Sequence, residues 1–64
     1  MRFGALVQHL ESCQGTAGAT REAWKGLAHV ILGYSGRLYI VIGVHNLPYA
    51  FSFEDAMADD WIAV

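Results

Sequence analysis

The chain has one cysteine, one proline and four basic residues, and it has no long hydrophobic run. Each scarcity excludes something. Cys13 alone cannot form an internal disulfide, so a secreted, disulfide-stapled framework is excluded and a reducing cytosol fits best. His9, His29 and His45 are scattered, with no ligand spacing around Cys13, which argues against structural zinc. Four basic residues against six acidic ones give a net charge of −2 with no basic run. That argues against duplex nucleic acid as a partner, because such binding rests on phosphate neutralisation. No apolar run approaches the ~18 residues of a membrane span. The N-terminus lacks the roughly 7–15-residue apolar core of a signal peptide. The expectation is a cytoplasmic protein with no membrane partner.

What is present is apolar surface. Of 64 residues, 55% are hydrophobic and only 16% charged, more than one small core can hide. Residues 1–64 make a single domain. A domain of this size buries only about 60% of its chain's surface. With disulfides and metal set aside, oligomerisation is the remaining source of stability.

The most apolar stretch is the middle. Leu27–Gly33 and Arg37–Val44 are short, bounded by glycine and rich in Val, Ile and Tyr, so they read as strands. Tyr34–Gly36 links them as a hairpin turn with glycine at the positive-φ position. A strand as apolar as Leu38–Val44 requires cover on both faces. The N-terminal helix supplies one cover, and another subunit is expected to supply the second.

On the N-terminal side, Phe3, Leu6, Val7, Leu10 and Cys13 recur at helical spacing, with Gln8, Glu11 and Ser12 opposite. The helix is expected over Gly4–Cys13, with Gly15 as C-cap and a small, polar, mobile loop to Gly18. An edge strand is expected near Ala19–Arg21, then a tight turn over Glu22–Gly26. On the C-terminal side, His45–Pro48 reads as a loop, since Pro48 biases Leu47 away from helix. Ser52 starts a helix over Phe53–Ala58, its hydroxyl accepting from a free N–H, with Glu54 and Asp55 at the positive end of the dipole. Trp61–Val64 closes the chain as a strand, Trp61 and Ala63 facing one way and Ile62 and Val64 the other. The fold class is α+β: a helix on a short antiparallel β-sheet, with a C-terminal helical turn and terminal strand.

Both ends of the sequence carry a pattern. The C-terminal part has Pro48-Tyr49, Ser52, then Asp55, Asp59, Asp60, Trp61 and a final Val64. The N-terminal part has Phe3-Gly4, a short helix, then Arg21, Trp24 and Gly26 in the spacing Arg-x-x-Trp-x-Gly. In order and spacing this resembles the small phage proteins of the Thoeris anti-defence two (Tad-two) family. This chain departs from that family in a few extra residues before Arg21, in Tyr49 where the family has Trp, and in a much shorter middle. The resemblance implies a non-enzymatic protein that sequesters cyclic ADP-ribose isomers, the alarm signals of bacterial Thoeris immunity. Some members also hold cyclic dinucleotides. It further implies a homotetramer in the host bacterial cytosol, with ligand pockets at subunit boundaries lined by aromatic side chains.

Against that background six residues are candidates for ligand binding. Trp24 between Arg21 and Lys25 suits an adenine ring beside a pyrophosphate: the ring stacks and the cations neutralise. The plain alternative is that Trp24 only covers the hairpin; with the resemblance, stacking leads. Tyr49 follows Pro48 in a loop, where binding residues concentrate, and either stacks or anchors the loop on Phe51. Asp60 is mainly structural, with ribose hydroxyls as the lesser reading. Arg37 is a solvated strand end, an edge protector or a phosphate partner. Trp61 is expected to be the lid on the core. The acidic group Glu54, Asp55, Asp59 and Asp60 reads as solvated rather than metal-binding. No Ser, Cys or Glu pairs with a histidine in sequence, so a catalytic triad has no support.

The functional expectation is therefore non-catalytic capture of a cyclic nucleotide signal, with no cofactor. The alternative is a small phage inhibitor, anti-CRISPR-like, that blocks a host defence protein directly, its Asp59-Asp60 mimicking phosphates. A signal-degrading enzyme is the third reading, and intact ligand recovered after denaturation separates it from capture.

Overall fold

The computed structural model describes every residue, Met1–Val64. In chain order the elements are α1 (Phe3–Ser12), β1 (Gly18–Arg21), a 3-10 turn (Glu22–Trp24), β2 (Ala28–Leu32), β3 (Leu38–Ile42), β4 (His45–Pro48), α2 (Phe53–Met57) and β5 (Trp61–Ala63). The strands form one antiparallel sheet in the order β4-β3-β2-β1-β5. This is the expected α+β fold, a helix on an antiparallel sheet with a short second helix and a closing strand.

The helix forms where the apolar stripe lies. Leu6 and Leu10 are fully buried, and Phe3 packs against the same cluster. It ends at Cys13, whose N–H donates to the His9 carbonyl at 3.1 Å. Gly15 is not the cap. It takes its positive φ two residues later, where its N–H donates to the Leu32 carbonyl at 2.7 Å. The Gln14 amide donates to the Gly33 carbonyl at 2.8 Å, so the polar connection is tied to the β2–β3 turn.

Two expectations about strands change. Ala19–Arg21 belongs to an internal strand, not an edge, because β5 returns to pair with it: Ala19 opposes Ala63 and Arg21 opposes Trp61. His45–Pro48, expected as a loop, is the edge strand β4. Ile42 pairs with His45, so the link is only Gly43-Val44. Gly43 has φ +61°, the positive first position of a type II′ hairpin turn, which matches the twist of the flanking strands. Pro48 is tolerated because it ends an edge strand, where its missing N–H removes no ladder bond. The apolar run therefore turns back at Ile42 instead of continuing to Val44.

The α2 cap is as expected and goes further. The Asp55 N–H donates to Ser52 Oγ at 3.1 Å, and the Asp55 carboxylate accepts the Ser52 N–H at 3.1 Å, a reciprocal capping box.

Pairing fixes the two faces. Ala19, Val30, Ile40, Leu47 and Ala63 share one face, which carries α1. Its core is Leu6, Leu10, Ala19, Val30 and Trp61. Trp61 is only 1% exposed, a core member rather than a lid. The other face holds Ile31, Tyr39, Val41 and Ile62, and neither helix lies on it. No helix is long and apolar enough to cross a membrane.

Candidate functional site

The helix-bearing face is not covered along its whole length. α1 sits toward the β2–β3 turn, against Leu32 and Leu38. At the opposite end the sheet is open, and a cleft of about 570 Å³ lies there. Ala28, Ile40 and Ile42 make its floor, Trp24 and Tyr49 line it, and Lys25 is its one charged side chain.

Local backbone explains why Trp24 and Lys25 are there. The Leu27 N–H donates to the Trp24 carbonyl at 3.0 Å across Lys25-Gly26. Lys25 has φ 54° and ψ 37°, and Gly26 has φ 77°. Positive φ at both central residues is a type I′ turn. Gly26 adopts it freely, whereas Lys25 is held in a region that costs a side-chain-bearing residue about 1–2 kcal/mol. The turn presents Lys25 and Leu27 at the cleft while Trp24 reaches inward.

Trp24 is half-buried. Its ring meets Trp61 edge-on at 5.3 Å and 82°, and Tyr49 at 6.3 Å and 82°. Tyr49 in turn meets Phe51 at 5.8 Å. The two readings of Trp24 and of Tyr49 are therefore not exclusive: each ring packs on the core with one side and lines the cleft with another. Trp24 packs against the buried core without being a member of it, because β5 sets Trp61 beside it.

The charged candidates divide differently. Arg21 donates from Nε to Asp60 Oδ1 at 2.9 Å and from Nη1 to Asp55 Oδ1 at 3.3 Å. Its side chain is 17% exposed. Asp60 Oδ2 accepts the Ala23 N–H at 3.1 Å, and the Asp60 carbonyl accepts the Glu22 N–H at 3.1 Å. Arg21 and Asp60 are thus bonded to the protein itself, fastening β1 to the approach to β5. Neither lines the cleft. Arg37 is exposed in the β2–β3 turn, at the opposite end of the hairpin from Lys25. Of the three cations named from sequence, only Lys25 reaches the cleft.

Asp55 is the residue that sequence reasoning missed. It is 3% exposed, not solvated. Its carboxylate accepts from Arg21, from the Ser52 N–H and from the Tyr49 hydroxyl, and its carbonyl accepts Trp61 Nε1 at 3.0 Å. Burial pushes its carboxyl upward, but the bonds from Tyr49, Ser52 and Arg21 together hold it below the usual carboxylate range. The Arg21 hydrogen bond is the main reason Asp60 also lies low. Burial first, then Asp55, pushes the Tyr49 hydroxyl up to about 12. The available signal was the Ser52-x-x-Asp55 spacing of a capping box, which points the carboxylate back toward the loop that carries Tyr49.

No group of three or more His, Cys, Asp or Glu side chains is placed to hold a metal. His9 Nε2 lies 2.9 Å from the Gly18 carbonyl and 3.6 Å from Cys13 Sγ. A carbonyl only accepts, so Nε2 carries the proton and cannot act as a base toward the thiol. The Cys13 thiol donates instead to the His9 carbonyl at 3.0 Å. Chemically, the cleft offers aromatic edges and faces, an aliphatic floor and one ammonium group.

No protein-family model, curated protein or solved structure matches the chain.

Proposed function

We propose that the protein captures a small aromatic anion without transforming it, and that the ligand belongs to the cyclic ADP-ribose isomers used as bacterial immune signals. The observation that carries this reading is the cleft itself: two aromatic side chains at an apolar floor, with a single cation at the rim. A nucleobase stacks on such a surface, and a phosphate is drawn to Lys25. The residues assigned to the ligand are Trp24, Tyr49 and Lys25, with Ile40 and Ile42 beneath; Arg21 and Asp60 hold the framework. The mechanism is mass action. Abundant protein lowers the free signal below the threshold of the host effector, as a phage anti-defence protein of the Tad-two kind requires.

Self-association belongs to the same reading. Leu27 is 77% exposed and Val44 93% exposed, beside a cleft open on that side, and the opposite sheet face is bare. A second copy covering these side chains completes the enclosure, and a tetramer is the arrangement the sequence resemblance favours. Light scattering at micromolar concentration should give a mass several times the 7.0 kDa of one chain; a monodisperse monomer contradicts it.

The second reading, a small inhibitor that binds a host defence protein directly, draws on a different surface. Phe53 and Met57, on α2, are 81% and 69% exposed and stand beside Glu54 and Asp59. The deciding experiment is to incubate the protein with a cyclic ADP-ribose isomer, remove protein-bound material by filtration, then boil. Capture predicts depletion and intact release. Hydrolysed release identifies an enzyme, and no depletion favours the inhibitor.

A further inference from the structure

The wall of the cleft is held from behind. Tyr49 is fixed at both ends: its N–H donates to the Leu38 carbonyl at 3.1 Å, and its hydroxyl donates to Asp55 Oδ2. Asp55 does not line the cleft. It stands on α2, its carboxylate gripped by Arg21 from β1 and by the Ser52 N–H that caps its own helix, and its main-chain carbonyl held by the Trp61 indole from β5. Those bonds leave its Oδ2 little freedom. The ring of Tyr49 therefore has its torsion set by a carboxylate whose own place is set by the core. Trp24, edge-on to both Tyr49 and Trp61, completes the same arrangement. A structural helix cap alone needs only the Ser52 bonds; the bond to the Tyr49 hydroxyl adds nothing to the cap.

On the reading that the cleft takes the ligand, we propose that Asp55 is a positioning residue, which sets the width of the cleft by holding the Tyr49 ring without itself touching the ligand. The Tyr49 hydroxyl reaches the carboxylate and locks the ring, so its face is preorganised before the ligand arrives.

The test uses the full chain with cyclic ADP-ribose as probe. Tyr49→Phe keeps the ring and every bond of Asp55 to Arg21, Ser52 and Trp61, and removes only the lock. It should weaken binding about tenfold with the fold and assembly retained. Asp55→Asn should weaken it similarly, and adding Tyr49→Phe to Asp55→Asn should cost nothing more, because one lock is lost in both. Fully additive losses in this cycle, or an unchanged affinity for Tyr49→Phe, overturn the proposal. A ligand-free measurement stands beside it. In NMR spectra of the wild type the Hα–Hβ couplings of residue 49 should report a single χ1 rotamer, and in Tyr49→Phe a rotamer average. If Asp55→Asn does not fold, this comparison decides alone, and equally averaged couplings in wild type and Tyr49→Phe refute the lock. A wild type that fails to bind the probe but shows the pinned ring overturns the ligand assignment and leaves the positioning role intact.

Discussion

The two ends of the helix-bearing sheet face are built from the same strands and are equally apolar, yet one is a core and the other a cleft. At the β2–β3 end, Val30 is 0% exposed beneath Leu6 and Leu10. At the β3–β4 end, Ile42 is 44% exposed. Hydrophobicity does not distinguish them; cover does. α1 has ten residues and so reaches only about 15 Å, and the chain spends no second element on the remainder. The aromatic row of Phe51, Trp61, Trp24 and Tyr49, joined by edge-on contacts of 5.3–6.3 Å, marks the boundary. Two of those rings face inward, and two serve both sides. On the proposed reading, a small chain obtains a ligand surface simply by leaving part of its core unroofed.

The comparison breaks most severely at Trp61. Removing a fully buried aromatic typically costs about 3–5 kcal/mol, a large share of the stability of any small domain. Trp61→Ala should lose its cooperative thermal transition by circular dichroism, with ligand affinity lost only because the fold is lost. Trp24→Ala should behave oppositely in emphasis. Base–aromatic stacking is typically worth ~1–3 kcal/mol, so affinity for cyclic ADP-ribose should fall roughly ten- to a hundredfold. The melting temperature should fall less than for Trp61→Ala, because Trp24 is only half-buried. Equal melting losses in the two variants would erase the distinction between core and cleft.

Titration sharpens the boundary itself. The Tyr49 hydroxyl is raised from 10.0 to about 12. A raised acid pKa contributes stability that is complete below the unfolded value and is lost as pH rises through the folded one. Chemical denaturation should therefore show stability declining between about pH 10 and 12, by an amount on the order of 2 kcal/mol, and Tyr49→Phe should remove that decline. Asp55 and Asp60 are lowered from 3.8, so their contribution is present above the ordinary carboxylate value and is lost as pH falls below it. The acid limb should persist in Tyr49→Phe, reduced, since Arg21 still holds both carboxylates. The smallest effect belongs to Lys25. Lys25→Gly relieves a left-handed side chain and should change stability by no more than about 1 kcal/mol, upward, while weakening an anionic ligand. Stability and affinity moving in opposite directions is the signature of a residue strained for binding.

Much of this was legible in the sequence, for physical reasons that also explain the rest. The stripe of Leu6 and Leu10, the Ser52 cap, the hairpin of β2 and β3 and the faces of β5 follow from local periodicity and turn chemistry. The edge strand β4 was hidden because Pro48 argues against a strand, and its tolerance at an edge depends on a neighbour that only the fold supplies. The same holds for β1, which is internal because the last residues of the chain return to it. Trp24, Tyr49 and Lys25 were recognisable as candidates by residue type. Asp60 was read as mainly structural, and its bonds to the Ala23 N–H and Arg21 agree; Arg21 looked available for a ligand, because nothing local reveals that a cation and a carboxylate far apart in sequence bond each other. Asp55 was misjudged for that reason: a carboxylate in an acidic stretch reads as solvated until Arg21, Tyr49 and Trp61 are seen around it.

The most direct test of the central claim uses the two tryptophans as reporters. Cyclic ADP-ribose should be titrated into the wild type and into Trp24→Phe while tryptophan emission is followed. An unroofed cleft that stacks the base on Trp24 and leaves Trp61 in the core predicts saturable quenching in the wild type and none in Trp24→Phe, whose remaining reporter is buried. Quenching that persists undiminished in Trp24→Phe, or a wild type whose emission does not respond, would contradict it.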